Sequence, residues 1–252
     1  MRGIAKFVPW PRQLQGGRCL DIATCDGFWA FEMERHGAAE VIAIDVANPN
    51  DVDLTWEGRR GVVSSDGAVV GTRAGRRFTF AREALGSHVE RRPCSVYDLD
   101  PELHGRFDVV FCGTLLIHLR DPIRALERMR EVCAGELILV ECLDARLDLW
   151  PWRRPAGHFA PMPGQWWRLN TSGLQAALSA AGFEVIFTSR RFITPFGPGL
   201  TRARGLRRPL AAARGALARR PGLCTLPGLV EALGLWRGTW DRVLRARPRK
   251  ID

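Results

Sequence analysis

The 252-residue sequence predicts an α/β fold with a doubly wound, mostly parallel sheet. Two short apolar runs, Arg18–Ile22 and Val41–Ile44, have the composition of buried parallel strands. Phe28–His36 lies between them, has apolar residues at helical spacing, and is followed by Gly37, which favours the end of a helix. Strand, turn, helix and strand within about 30 residues form one βαβ unit, and this alternation continues along the chain.

The later elements are predicted from the same patterns. Asn48–Arg77 is rich in Gly, Ser and Asp, and we interpret it as a long loop with a short hairpin around Gly61–Gly71. Asp121 before a proline is typical of a helix N-cap, and Gly135 is the expected end of that helix. The other predicted helices are Phe78–Leu85 and Thr171–Ala181, and the other predicted strands are His88–Cys94, Phe107–Cys112, Glu136–Cys142, Phe183–Thr188 and Asp241–Ala246.

The composition is that of one globular domain, since 46% hydrophobic residues over 252 positions can form a full core. We expect a core at about 17–192, a basic helical insertion at about 196–237 and a closing strand at about 239–248. The seven cysteines have no CxxC pair and no metal-ligand spacing, which indicates reduced thiols and no metal site. Met1–Gly17 has no secretory pattern, and no apolar run is long enough to span a membrane, so a cytoplasmic protein is expected.

The positive charge is concentrated at one end of the chain. Arg190–Asp252 holds 15 basic and 3 acidic residues, a net charge of +12, whereas Met1–Ser189 holds 22 basic and 24 acidic residues, a net charge of −2. Leu206–Arg219 within this basic segment has one apolar face and several arginines elsewhere. Such a helix could contact nucleic-acid phosphates, an anionic membrane surface or an acidic protein, and it is equally compatible with a solvated helix.

The sharpest local feature follows the first strand. The acidic residue Asp21 lies at the strand end, and small residues follow two, four and six positions later, at Ala23, Cys25 and Gly27. Small residues at this place let the backbone approach a ligand, and the helix that follows offers free N–H groups. The spacing differs from the GxGxxG of dinucleotide-binding folds.

Asp45 adds to this feature because it ends the second strand, 18 residues after Gly27. Rossmann-like folds place a carboxylate there to accept the hydroxyls of a ribose, although a turn residue at a strand end is the alternative. Together with this carboxylate, the pattern resembles motif I of class I S-adenosylmethionine-dependent methyltransferases. Ala23 and Cys25 stand in place of the first two glycines of that motif.

A second resemblance is to the tRNA wobble-uridine methyl and carboxymethyl transferases. Phe107–Phe111 followed by Leu116–Pro122 resembles motif IV of that family, in which a strand leads to a His, a basic residue and a Pro. Trp166-Trp167 is similar to the family's later aromatic segment, and Arg242–Pro248 resembles its closing strand. The resemblance implies a Rossmann-like sheet whose last strand is antiparallel and lies beside the fifth.

The resemblance also implies a set of cofactor contacts at the ends of successive strands. The implied contacts are Asp21, Ala23 and Gly27 around the methionine part of S-adenosylmethionine, Asp45 on the ribose, Ser95 and Val96 beside the adenine, and Cys112, Gly113 and Thr114 under the sulfonium. His118 and Arg120 are implied to face the acceptor. A histidine of ordinary pKa, about 6.5, suits removal of a proton from a hydroxyl or amine, whereas packing in a loop is the structural alternative for His118.

The leading interpretation is an S-adenosylmethionine-dependent methyltransferase that acts on a small molecule or an RNA base by in-line methyl transfer. The tRNA enzymes carry a further N-terminal region that helps to bind tRNA, and about sixteen residues precede the first strand here, so both acceptors stay open. The alternative is a non-catalytic protein that binds RNA or an acidic partner on a degenerate methyltransferase scaffold. A nicotinamide dehydrogenase is least favoured, because the glycine spacing is wrong and the sole tyrosine, Tyr97, has no lysine near it.

Overall fold

The computed structural model describes residues 2–47, 51–56, 72–144, 147–149, 154–162, 164–195 and 238–249. The chain divides into two compact units: unit 1 is Met1–Arg190 with Arg242–Asp252, and unit 2 is Arg191–Asp241. The predicted hairpin at Gly61–Gly71 and the basic insertion at 196–237 lie outside the described residues, and the single-domain interpretation stays a prediction.

The described residues form strands and helices that alternate over much of the chain. The strands are β1 (Arg18–Ile22), β2 (Glu40–Asp45), β3 (Glu90–Pro93), β4 (Phe107–Gly113), β5 (Cys133–Leu143), β6 (Gly157–Met162), β7 (Gln165–Leu169), β8 (Phe183–Thr188), β9 (Phe192–Pro195) and β10 (Gly238–Pro248). The helices are α1 (Arg2–Ala5), α2 (Phe28–Arg35), α3 (Thr72–Leu85), α4 (Pro101–His104), α5 (Pro122–Val132) and α6 (Thr171–Ala180). Short 3-10 helices cover Arg12–Leu14, Val96–Asp98, Leu116–His118 and Leu147–Leu149.

The central sheet of unit 1 has the strand order β3-β2-β1-β4-β5-β10-β8. β1 is parallel to β2 and β4, and the pairs β2–β3 and β4–β5 are also parallel, whereas β10 is antiparallel to β8. The predicted α/β class, with a mostly parallel Rossmann-like sheet and an antiparallel last strand beside the fifth, is confirmed. The carboxyl ends of the parallel strands meet at one edge of this sheet, which is where such folds bind ligands.

The core of unit 1 lies between this sheet and the helices that cover it. β1, β4 and β5 are almost entirely buried, as expected for parallel strands covered on both faces. α5 contributes the fully buried Leu126 and Met129. The side chain of Asp121 accepts the backbone N–H of Arg124 at 3.0 Å, so the predicted N-cap of this helix is confirmed.

Two predicted helix boundaries are wrong. α3 begins at Thr72 rather than Phe78, because its first turns are polar and carry no apolar periodicity that sequence patterns detect. α5 ends at Val132, and β5 follows without a loop, so Gly135 lies in a strand instead of ending the helix. A Cβ at Gly135 would lie 2.3 Å from the carbonyl oxygen of Asp108, and this close approach of two strands explains the glycine.

A hairpin that the sequence did not predict extends beyond the end of β5. Its strands β6 and β7 are antiparallel, and the turn contains Gly164 at φ +75°. The buried side chain of Asn170 fixes its base, accepting the N–H groups of Ala156 at 3.0 Å and Gly173 at 2.7 Å and donating to the carbonyl of Arg154 at 2.9 Å. The hairpin therefore has a defined position relative to β5 and α6.

In unit 2, the described residues are a short antiparallel pairing of β9 with Gly238–Asp241. The buried carboxylate of Asp241 accepts the hydroxyl of Thr239 at 3.1 Å. None of the helices in the described ranges is long and apolar enough to cross a membrane.

Candidate functional site

The bend after β1 has a left-handed backbone at every second residue. φ is +58° at Ala23, +52° at Cys25 and +88° at Gly27. Gly27 has no room for a side chain, because an added Cβ would lie 2.5 Å from the ring of Phe31 and 2.7 Å from that of Phe78. A left-handed backbone is about 1–2 kcal/mol less stable for a residue with a Cβ than the right-handed one. Ala23 and Cys25 therefore have strained backbone conformations in this bend.

Asp45 connects this bend to the end of β2. Its carboxylate is 7% exposed, and its two oxygens accept the N–H of Cys25 at 3.0 Å and its neighbour Val46 at 2.9 Å. Burial raises the pKa of Asp45, while these two hydrogen bonds and the charge of Arg91 act in the opposite direction. The predicted ribose-binding carboxylate therefore faces the bend rather than pointing away from it.

Asp21 lies beneath the bend. It is 1% exposed and accepts the hydroxyl of Thr24 at 2.7 Å. Burial above all, with smaller contributions from the charges of Asp45 and Asp26, raises the pKa of Asp21 to about 7. Two buried carboxyls thus lie near each other at the ends of β1 and β2. Asp21 stabilises the bend through its hydrogen bond with Thr24.

The end of β4 lies at the same edge of the sheet, since Ile22 pairs with Ile44 on one side and Cys112 on the other. Cys112 is buried, and burial raises the pKa of its thiol well above the ordinary value. A Cβ at Gly113 would lie 3.2 Å from the indole nitrogen of Trp29, which leaves little room for a side chain. The ends of β1, β2 and β4 therefore lie side by side, and the indole of Trp29 packs beside the end of β4.

The predicted adenine-side residues follow β3. The N–H of Cys94 donates to the carbonyl of Asp45 at 3.0 Å, which holds the ends of β2 and β3 together. The hydroxyl of Ser95 accepts the N–H of Tyr97 at 3.3 Å and caps the 3-10 helix, whereas Val96 is buried. The structure thus brings Ser95 and Val96 to the same edge as Asp45.

On the predicted acceptor side, His118 ends a 3-10 helix after β4. Its Nδ1 is hydrogen-bonded to the carbonyl of Gly164 in the hairpin turn, and burial lowers the pKa of His118. The side chain of Arg120 is 58% exposed, and its guanidinium lies 5.5 Å from the ring centroid of Trp166. Both residues therefore contact the hairpin, so packing is part of the role of His118.

Two parts of this site were not predicted from the sequence. The sequence indicated Trp166 and Trp167 as an aromatic segment but gave no hairpin. A turn at Gly164 between two runs with aromatic residues is the signal that could have found it. Asp53, which contacts Arg120 and Tyr97, lies in a stretch without periodicity, so sequence patterns carried no signal for it.

Comparison with known proteins gives a family match. The model of a family described as a methyltransferase domain matches residues 1–187. The tRNA U34 carboxymethyltransferase of Pseudomonas aeruginosa is 28% identical over 174 residues, 68% of this chain and 46% of that protein. The enzyme of the same name from Ectopseudomonas mendocina is 29% identical over 174 residues, with the same coverage. The chain spans about half the length of these curated relatives.

Solved structures share the fold at low identity. The [4+2]-cyclase SpnF has a TM-score of 0.55 at 16% identity, covering 98% of this chain and 80% of that chain. The magnesium protoporphyrin IX methyltransferase of Synechocystis, with bound S-adenosylhomocysteine, has a TM-score of 0.54 at 14% identity, covering 99% and 81%. These similarities establish the architecture alone, because the same fold occurs with different reactions.

We expect Ala23→Gly to stabilise the protein by about 0.5–1 kcal/mol. Removal of the left-handed strain outweighs the extra entropy that glycine gives to the unfolded chain, about 0.4–1 kcal/mol. Urea unfolding followed by tryptophan fluorescence measures the change. Ala30→Gly is the matched control: Ala30 is buried in α2, so the same substitution is expected to destabilise there. A lower free energy of unfolding in Ala23→Gly than in the wild type would show that the left-handed conformation of Ala23 is not strained.

We expect the His118→Gln variant to lose less stability than wild type as the pH falls from about 7.5 to 5.5. The folded-state pKa of His118 lies below its ordinary value of about 6.5, so the unfolded chain binds more protons in this range and folding weakens. The effect is limited to about 1.4 kcal/mol per pH unit. Unfolding free energies measured across the range give the difference between the two proteins, in which Asp21 and other groups common to both cancel. Parallel curves would show that the pKa of His118 is not lowered.

Proposed function

Because the chain belongs to the methyltransferase domain family, we propose that it binds S-adenosylmethionine and transfers the methyl group to an acceptor. The observation that carries this proposal is the joint position of the left-handed bend after β1 and the carboxylate of Asp45 after β2. Small residues and a fixed carboxylate at neighbouring strand ends suit a nucleoside, whose ribose needs hydrogen-bond acceptors and whose close approach needs exposed backbone.

The residues at this edge fit the cofactor. A carboxylate has about four acceptor positions, and each oxygen of Asp45 accepts one backbone N–H, so positions remain for ribose hydroxyls. The rings of Phe31 and Phe78 pack against Gly27, so this position of the bend accepts only a residue without a Cβ. We assign Asp45 to the ribose, Ala23 and Gly27 to the methionine part, and Ser95 and Val96 to the adenine. Asp21 supports the bend, and Cys112 with Gly113 forms the floor at β4.

The chain contributes positioning and proton handling to the reaction. S-adenosylmethionine supplies a methyl group on a sulfonium, which is open to in-line displacement. Positioning of the acceptor and exclusion of water then provide much of the rate enhancement. A carbonyl can only accept, so Nδ1 of His118 carries the proton toward Gly164, and Nε2 is the unprotonated nitrogen that takes a proton from the acceptor. The lowered pKa of His118 keeps the ring neutral near pH 7.

The acceptor in this proposal is a small molecule or an RNA base, with a planar and anionic part. The exposed guanidinium of Arg120 beside Trp166 suits such a group, because a cation and an aromatic face bind planar anions together. The names of the tRNA-modifying relatives and the net charge of +12 in Arg190–Asp252 favour RNA. A small molecule stays the other acceptor class, since a solved neighbour of similar fold, from Burkholderia thailandensis (TM-score 0.53, 14% identity), is a 1,6-didemethyltoxoflavin N1-methyltransferase.

We expect S-adenosylhomocysteine to bind the wild-type protein in isothermal calorimetry and Asp45→Ala to weaken this binding about tenfold or more. Hydrogen bonds to a charged group contribute about 1.5–3 kcal/mol, which corresponds to at least this factor. Glu102→Ala is the control, because Glu102 is an exposed carboxylate on α4 and its loss is expected to leave binding unchanged. Absence of binding to the wild type at high micromolar ligand would reject the proposed function.

We expect radiolabelled methyl groups to transfer from S-adenosylmethionine either to bulk tRNA or to a metabolite extract. If RNA is the acceptor, its binding should weaken as salt rises and should be lost on deletion of Leu200–Arg220, because phosphate contacts release counterions. The non-catalytic alternative, an RNA- or acidic-partner-binding protein, is favoured by the non-glycine residues in the bend. It predicts RNA binding that survives Asp45→Ala, with no transfer to either extract.

A further inference from the structure

Asp53 joins three segments that follow different strands. Its Oδ2 accepts the phenolic O–H of Tyr97 at 2.7 Å and the backbone N–H of Arg120 at 2.8 Å. Its backbone carbonyl accepts the indole N–H of Trp166 at 2.7 Å. The segment 51–56 after β2 is thereby bonded to the residues after β3, to the loop after β4 and to the hairpin.

The contacts around Asp53 reinforce each other. The phenolic oxygen of Tyr97 also accepts the N–H of Asp121 at 3.2 Å, and the guanidinium of Arg124 lies 5.3 Å from the Tyr97 ring centroid. The carbonyl of Arg120 accepts the indole N–H of Trp167 at 3.1 Å. The backbone of Arg120 is therefore fixed on both sides, by Asp53 through its N–H and by the hairpin through its carbonyl.

The Asp53 carboxylate is suited to this role because it is 17% exposed and has short hydrogen bonds from both a side chain and the backbone. Charge-assisted hydrogen bonds of this kind are stronger than neutral ones and hold donors at defined positions. The guanidinium of Arg120 lies 3.9 Å from Oδ1, so it adds charge complementarity at an exposed position. Loss of the carboxylate would leave the half-buried phenol of Tyr97 and the backbone N–H of Arg120 without their acceptor.

We propose that Asp53 is a positioning residue that couples the adenine end of the cofactor site to the acceptor side. Tyr97 follows directly after the adenine-side residues Ser95 and Val96, whereas Arg120 and Trp166 lie on the acceptor side. Occupation of the adenine end orders Tyr97 and, through Asp53, the guanidinium and the indole. This inference rests on the proposed function, because the adenine end and the acceptor side are assigned there.

Tyr97 provides a direct reporter, because it is the sole tyrosine of the chain. Burial first, and then its hydrogen bond to Asp53, raises the pKa of Tyr97 above the ordinary value. Incorporation of 3-fluorotyrosine gives one fluorine resonance at this position and lowers the pKa of the phenol, so that its titration falls at a milder pH. The resonance reports the Asp53 contact without any cofactor.

The experiment compares Asp53→Asn with wild type by fluorine NMR and by calorimetry with S-adenosylhomocysteine. In the variant we expect the titration midpoint of the fluorinated Tyr97 to fall, because a neutral amide replaces the negatively charged acceptor of the phenol. We also expect the dissociation constant of S-adenosylhomocysteine to rise about tenfold. Tyr97→Phe removes the same hydrogen bond from the other side and should weaken ligand binding similarly.

Asp51→Asn is the matched control, since Asp51 is an exposed aspartate of the same segment. It removes the same charge two residues away and should leave the midpoint and the affinity at wild-type values. Circular dichroism and urea unfolding of each variant show whether the fold is retained. If Asp53→Asn loses the fold, Tyr97→Phe carries the binding test alone, and an unchanged affinity in it overturns the coupling.

The outcomes separate the two proposals. An unchanged titration midpoint in Asp53→Asn, or an affinity equal to that of Asp51→Asn, overturns the positioning role even when the wild type binds the ligand. Absence of S-adenosylhomocysteine binding to the wild type rejects the proposed function and the coupling built on it. A midpoint that still falls in Asp53→Asn would then show that the contact is structural.

Discussion

The carboxylate of Asp45 and the backbone N–H of Cys25 form the hydrogen bond on which the site depends. It joins the end of β2 to a bend whose backbone is left-handed at Ala23, Cys25 and Gly27. Two of these residues carry a Cβ and pay about 1–2 kcal/mol each for that conformation, so the bend needs an external constraint. Asp45 supplies it from the neighbouring strand, and the bond from the N–H of Thr24 to the carbonyl of Ile44 supports it.

This arrangement puts two carboxyl groups in a poorly solvated place. Asp21 and Asp45 are both buried, and burial raises the pKa of each. The thiol of Cys112 at the end of β4 is held in its neutral form by the same surroundings. A site of this kind favours a ligand that brings hydrogen-bond donors and a positive centre. Ribose hydroxyls and a sulfonium have these properties, whereas an anionic ligand at the same place would be repelled.

The sequence predicted the parts of the fold whose signals are local. β1, β2 and β4 are short, mostly apolar runs, and Asp121 before Pro122 marks a helix start, so each was predicted at nearly its observed bounds. Asp45 could be proposed from the sequence because it is a carboxylate at the end of the second predicted strand, 18 residues after Gly27. The hairpin and Asp53 depend on contacts between residues far apart in the chain, such as Trp166 with Asp53, and no local pattern encodes those pairings. The prediction for Gly135 was wrong because this glycine is required by the close approach of the neighbouring strand at Asp108, and not by the end of a helix.

The residues that the sequence predicted and those that it missed lie in different parts of the site. The proposed cofactor side is built from strand ends, whose relative positions follow from the strand order and register of the sheet. The acceptor side is built from the hairpin, the loop after β4 and the segment that contains Asp53, all of which lie outside the regular alternation. A [4+2]-cyclase shares the fold of this chain, so the sheet alone does not determine the reaction. Outside the regular alternation, Arg120, Trp166 and Tyr97 are joined through Asp53, and this group lies on the proposed acceptor side. Because the proposed cofactor contacts would be alike for any acceptor, the cationic and aromatic character of this group is the feature of the described residues that bears on the acceptor.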